Sequence, residues 1–262
     1  MLELLVCFSI VNDTADITRN DWRKLAGGHF PIDSTRMIID SYDEAALEYA
    51  LRVKEEASAS GRGARCTALT IAEGLDESFS RSLFAIGFDR VLLLRTEPLT
   101  GFRPDDISNI LSLFLTQERF DMIFLGRQNS LSCGGQTAAR LSALSGLPCI
   151  GHTTDCSFDG SRLRAVCKTK NGQVSAYVAP SGIFSFDDAV HPYLRIATLR
   201  DKMSAGGKAA EIIDLPARSF DDEVRLISVS YDPPRRDCVM IEAETAGEKA
   251  ASLLKLFVQG EP

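Results

Sequence analysis

Asp121-Met-Ile-Phe-Leu-Gly-Arg-Gln-Asn-Ser-Leu-Ser-Cys-Gly-Gly-Gln-Thr137 decides the fold class. It opens as an apolar run from Asp121 to Leu125, the pattern of a strand covered on both faces of a parallel sheet. The run enters Gly126 and a polar loop, and a helix is expected from about Gly134 to Ser145. A strand that enters a helix through a glycine-rich loop is one unit of an α/β fold. The unit repeats upstream. Leu2 to Ile10, Cys66 to Ile71 and Arg90 to Leu94 read as buried strands. Helices are expected from Ser41 to the Ala57-Ser-Ala-Ser-Gly61 stop, over Glu77 to Ile86, and over Pro104 to Thr116. The first has Ser41 and Glu44 in capping-box spacing. Ligands of such folds collect at the carboxyl ends of the strands, where strand order reverses.

After Pro148 the pattern changes to short strands and turns. Leu163 to Lys168 and Val174 to Val178 flank Asn171-Gly172, a hairpin signal. Residues 191–210 show little apolar periodicity. Beyond them come a strand candidate at Val224 to Val229, a Pro233-Pro234 break and a helix from about Ala246 to Phe257.

Composition narrows the function. With 262 residues, 45% of them hydrophobic, the chain can bury a sizeable core. A formal charge of -7, with no basic stripe, argues against nucleic acid. No run approaches the length that spans a bilayer, and Met1-Leu2-Glu3-Leu4 lacks the basic start of a signal peptide. The 7 cysteines are irregularly spaced without a Cys-x-x-Cys pair, which argues against a disulfide framework or a zinc site and favours a cytoplasmic location. His29, His152 and His191 are too scattered for a metal pair.

Three stretches can meet a ligand. In Gly126 to Thr137, Gly134 and Gly135 let a ligand approach the backbone. The following helix start offers unpaired N–H groups, Ser132 and Thr137 add hydroxyls, and Arg127 adds a positive charge, which together suit a phosphate. The alternative is a connection that only lets strand and helix pack. Asp40-Ser-Tyr-Asp-Glu44 is a helix cap that also offers a phosphate or ribose site, and Cys7-Phe8-Ser9 ends the first strand. Cys133 reads as a packing residue rather than a reactive thiol, Trp22 as loop packing, and Asp187-Asp188 as a solvated turn rather than a catalytic pair.

These motifs, in this order, resemble the β subunit of electron transfer flavoproteins. Asp40 to Glu55 resembles the family's Asn-Pro-Tyr-Asp-Glu helix, and Ser82-Leu-Phe-Ala-Ile-Gly-Phe-Asp-Arg90 its Ala-Leu-Ala-Met-Gly-Ala-Asp-Arg segment. Gly126-Arg-Gln through Gln136-Thr137 to Gly146-Leu-Pro148 resembles its nucleotide loop, and Arg195-Ile-Ala-Thr-Leu-Arg-Asp-Lys-Met203 its Arg-Tyr-Ala-Thr-Leu-Pro-Asn-Ile-Met loop. Asp232-Pro-Pro234 falls where the family has Asp-Pro-Pro.

The resemblance implies a largely parallel, Rossmann-like, adenine-nucleotide-binding α/β domain over residues 1–190. Residues 191–262 would form a partner-docking loop and a C-terminal extension wrapping an α subunit. It implies no enzyme activity for this chain alone, an FAD shared with the α subunit, and AMP or a second FAD in the chain's own pocket. Electrons would pass from dehydrogenases, of which the acyl-CoA type is expected, to a downstream acceptor. Carried over by position, the nucleotide contacts are Cys7, Phe8 and Ser9; Asp40, Ser41, Tyr42 and Asp43; Thr70 and Ile71; and Gly126, Arg127, Gln128, Ser132, Cys133, Gly134, Gly135, Gln136 and Thr137. Leu199 falls on the family's docking leucine, and Lys168 on a basic residue near the subunit interface.

The departures are local. Leu131, Ser132 and Cys133 replace acidic loop residues, Asp40-Ser41 replaces Asn-Pro, and Arg200 replaces the docking-loop proline. They leave open a stand-alone adenine-nucleotide-binding sensor or hydrolase of the same fold, or a subunit with a vacant pocket.

Overall fold

The computed structural model describes residues 1–18, 20–21, 35–96, 104–130, 134–215 and 240–259. Trp22, His29, Leu131 to Cys133, the strand candidate at 224–229, the Asp232-Pro-Pro234 match and Cys238 lie outside the described residues.

The strands in chain order are β1 (Leu2–Cys7), β2 (Ile10–Asn12), β3 (Met37–Ile39), β4 (Ala64–Ala72), β5 (Arg90–Arg95), β6 (Met122–Gly126), β7 (Cys149–Phe158), β8 (Leu163–Thr169), β9 (Gly172–Val178), β10 (Gly182–Phe186) and β11 (Glu211–Asp214). The helices are α1 (Ser41–Ala59), α2 (Glu77–Ile86), α3 (Pro104–Gln117), α4 (Thr137–Ser145), α5 (Leu199–Ser204) and α6 (Ala246–Gln259). Nine strands form one sheet in the order β11-β5-β4-β1-β6-β10-β7-β8-β9. Pairing is parallel from β11 to β7, and only the β7-β8-β9 end is antiparallel. The chain is therefore a largely parallel α/β protein, as its alternating pattern predicts.

The apolar runs are explained by burial on both faces. Along β6, Met122 and Phe124 enter one core layer while Ile123 and Leu125 enter the other. Along β1, Leu2, Leu4 and Val6 join the first layer and Leu5 the second. The first layer is closed by α1 and α2 through Ala46, Tyr49, Ala50 and Leu83, and the second by α3 and α4 through Leu111, Phe114 and Leu141. From β1 the chain moves outward to β4 and β5, then returns to β6 on the opposite side of β1. The strand order thus reverses between β1 and β6, and their carboxyl ends flank the crevice where this fold class binds ligands.

Several local expectations change. Strand 2–10 divides at Phe8-Ser9, because the Phe8 N–H continues the ladder to Leu69 while Ser9 turns its N–H to Asp43. The helix expected from Gly134 begins at Thr137. Residues 191–210 contain α5, which starts with a complete capping box between Thr198 and Asp201. The chain then returns to the sheet as β11, and the Arg90–Glu211 and Arg95–Asp214 ion pairs fasten that edge to β5. The hairpin at 170–171 forms between β8 and β9. Gly87, at φ 117°, stops α2 in the left-handed conformation that glycine adopts readily at helix ends.

Phe186 ends β10 at the centre of the first layer. It is 1% exposed, stacks on Tyr49 at 4.8 Å and tilts against Phe124 at 5.7 Å. Phe186→Ala should cost about 3–5 kcal/mol of stability. A large drop in the urea midpoint at unchanged slope is expected; an unchanged midpoint would contradict this packing.

Candidate functional site

The reversal point is held by the first turn of α1. The Asp43 carboxylate accepts from the Ser9 N–H at 2.7 Å, the Ser9 hydroxyl at 3.0 Å and the Gly126 N–H at 3.1 Å. One side chain therefore joins the exits of β1 and β6. The Asp40 carboxylate accepts from the Tyr42 N–H at 3.0 Å, and from the Ser130 N–H and hydroxyl at 2.8 Å each. Asp40, not Ser41, is thus the helix cap. A carboxylate takes the free N–H more strongly than a hydroxyl, and Ser41 becomes the exposed first helical residue. Glu44 does not close a capping box either; it accepts from the Leu194 N–H at 3.2 Å.

Gly126 is demanded by this approach. A Cβ there would lie 2.7 Å from the Tyr42 carbonyl, so only glycine lets the α1 backbone come down on the end of β6. Burial and the neighbouring Asp40 carboxylate push the Asp43 carboxyl up to about 7, against the hydrogen bonds from Ser9 and Gly126. Burial and the Asp43 charge also push the Cys7 thiol well up, which keeps it protonated and unreactive.

The four expected stretches meet here through hydrogen bonds or strand register. Cys7 stands opposite Leu69 in the β1–β4 register, so Thr70 and Ile71 follow at the adjacent carboxyl end. Asp40 to Asp43 and Gly126 to Ser130 are joined to them as described. Across the loop, Gly135 takes a φ of 58°. Gln136 precedes α4 without making a side-chain cap. Ser132 and Cys133 lie outside the described residues.

Arg127 leads to a second polar group. Its backbone N–H donates to Phe186, and its guanidinium lies 3.2 Å from the Asp187 carboxylate. His152 Nδ1 lies 2.9 Å from the same carboxylate. Asp187 is buried, so it is not part of a solvated turn; Arg127 and His152 supply the partners that its burial requires. Asp188 is exposed, has a φ of 48°, and is ion-paired with Lys168. His152, at φ 51°, and Asp187 were not anticipated, because an isolated His and an Asp-Asp pair carry no pattern until β7 and β10 become neighbours.

The segment after this group is fixed at its root and open at its tip. Glu48 accepts from the backbone N–H and guanidinium of Arg195, which also pairs with Glu55. Beyond this anchor, Ile196 is 91% and Leu199 78% exposed, with Met203 close behind. The last helix is also open: Phe257 is 87% exposed, alongside Leu253, Leu254 and Val258.

A model of the electron transfer flavoprotein domain matches residues 32–183, a span that holds α1, the loop after β6 and the strands from β3 to β9. The chain belongs to the electron transfer flavoprotein domain family. YgcR of Escherichia coli (strain K12), provisionally named an electron transfer flavoprotein subunit, is 23% identical over 98% of both chains. The electron transfer flavoprotein subunit beta of Bacillus subtilis (strain 168) is 27% identical, over 88% of this chain and 89% of its own. That of Syntrophomonas wolfei is 25% identical, over 99% and 98%. These identities mark a divergent member that resembles β subunits along nearly its full length. Among the described residues no helix is long and apolar enough to cross a membrane, and no cluster of His, Cys, Asp and Glu could hold a metal ion.

Two outcomes test the site. Gly126→Ala should lower the melting temperature markedly, because the Tyr42 carbonyl belongs to a helix that cannot yield without breaking the Asp43 bridge. A melting temperature equal to the wild type would refute the close approach. The second is a pH dependence. An acid whose folded pKa lies above its unfolded value stabilises the fold below the unfolded value and loses that contribution as pH rises through the folded one. For Asp43 the window runs from the ordinary value of 3.8 to about 7. Thermal stability should fall across it, and Asp43→Asn should remove that part of the slope.

Proposed function

We propose that this chain is the β-type subunit of a heterodimeric electron transfer flavoprotein. Its β1–β6 crevice would hold an adenine nucleotide, AMP or a second FAD, while a redox FAD is shared with an α-type subunit. The bridge from Asp43 to Ser9 and Gly126 is the observation that carries this reading. It shapes the crevice to which the resemblance assigns the nucleotide, and the N-cap residue of the neighbouring α4, Gln136, makes no side-chain cap. The residues suit such a guest. The Asp40 carboxylate, a negative charge that would repel a phosphate, is 0% exposed and occupied by Tyr42 and Ser130. In this reading the nucleotide meets Ser41 and Tyr42 through backbone and ring edges, Thr70 and Ile71 through the β4 end, and its phosphate meets the loop from Ser132 to Thr137.

A bound flavin would carry the electrons; this chain would hold and orient it and dock the donor. Lys168, fixed by Asp188, stands in the polar group with Arg127, His152 and Asp187 that would border the α subunit. The exposed α6 face would be covered by that subunit, and Leu199 would anchor a dehydrogenase of the acyl-CoA type. A few desolvated side chains dominate such interfaces. The stand-alone sensor or hydrolase has less support, since open apolar side chains at Ile196, Leu199 and Phe257 call for partners.

Co-expression with an α-type subunit should give a heterodimer that releases FAD and a second nucleotide on denaturation. A chain that stays alone and flavin-free with every α-type subunit tried would overturn the reading. In the assembled protein, Leu199→Asp should slow reduction by the dehydrogenase by about tenfold or more without changing nucleotide content.

A further inference from the structure

Beside the exposed 196–203 strip lies an open groove of about 460 Å³. It is lined by one face of α2, presenting Phe79, Leu83 and Ile86 at helical spacing, and by Ile38 and Ile39 of β3. The segment 194–197 and Lys202 complete the lining, and α5 packs on α2. Ile196 and Lys202 belong to both groove and strip, so the two make one continuous surface. The volume suits one or two bulky side chains of a macromolecule.

The rim charges are unevenly used. Glu44 is committed to the Leu194 N–H, Asp13 to the Ala15 N–H, and Arg195 to Glu48 and Glu55. Arg36 and Lys202 make no ion pair among the described residues. In a chain of net charge -7, the groove thus offers two cations with no ion pair among the described residues, set around apolar lining.

We propose that this groove seats an acidic docking segment of the electron donor, an exposed bulky apolar side chain flanked by Asp or Glu. The apolar side chain enters between α2 and the 194–197 segment, and its carboxylates meet Arg36 and Lys202. Leu199 then anchors the same partner from the adjoining strip, so that each protein supplies one apolar knob and one recess. This inference rests on the proposed electron-transfer reading and adds the chemistry of the donor's contact surface.

The experiment uses the assembled heterodimer and, as probe, a purified acyl-CoA dehydrogenase that reduces it. Flavin reduction is followed against dehydrogenase concentration. Ser82→Trp fills the groove from an exposed position on α2; Arg36→Glu with Lys202→Glu reverses its charge; Lys170→Glu, on the β8–β9 turn, is the control. Both groove changes should raise KM by about tenfold, with assembly and flavin content intact. High salt should reduce the difference between wild type and the charge-reversed form but not that caused by the tryptophan. Wild-type reduction with KM unchanged in both variants overturns the inference while leaving the electron-transfer reading standing. Failure of the wild-type chain to assemble, or of any dehydrogenase to reduce it, shows instead that the reading itself is wrong, and the inference falls with it.

Discussion

Two carboxylates in one helical turn hold this protein's central crevice in shape. Asp43 and Asp40 are both buried at the start of α1, where burying a charge is costly unless donors surround it. The donors come from three separate places: the end of β1, the end of β6 and the loop at Ser130. Forming the helix cap and joining the central strands at their carboxyl ends are therefore a single event. Gly126 is its steric condition, since any side chain there would push the helix start away.

The same helix orders the opposite surface. One turn below the cap, Glu44 receives the Leu194 N–H, and further along Glu48 and Glu55 receive Arg195. Burial alone would raise the Glu48 carboxyl, yet the hydrogen bonds and charge of Arg195 and the bond from Arg52 hold it below its ordinary value. Tyr49, between these groups, reaches β7 through Asp155 and stacks on Phe186 of β10. A rigid helix thus sets the crevice at its N-terminus and the root of the exposed segment along its flank. The exposed residues need not pack on their own domain to be presented in a defined direction.

What was legible in the chain follows from these constraints. The runs at Leu4–Val6, Val91–Leu94 and Met122–Leu125 stand out because burial on both faces selects apolar residues there. Gly126 and the Asp40–Glu44 start were also readable, since glycine loops and helix caps leave local signatures. The cap residue itself was misassigned because Ser41 and Glu44 match the capping-box spacing; only the arrival of Ser130, 90 positions away, makes Asp40 the better acceptor. β11 was invisible for another reason. It is short, mostly exposed, and held at the sheet edge by Arg90 and Arg95, ion pairs that no local pattern encodes. Asp187 was misjudged in the same way: its burial depends on Arg127, just past β6, and on His152 of β7.

The departures from the family pattern can be weighed on this basis. An acidic residue at position 40, where relatives of this type are expected to carry Asn, looks from sequence like a repulsive charge in a phosphate pocket. In the fold its carboxylate lies at the positive end of α1, which favours it, and it accepts from the Ser130 backbone and hydroxyl as well as from its own helix. Asn at this position would have one acceptor oxygen and an amide that must find acceptors of its own, whereas Asp can receive all three donors. These bonds tie α1 to the loop that follows β6. The Asp40 carboxylate is absorbed by the protein's internal hydrogen bonding, and the crevice keeps its shape because that charge holds the loop.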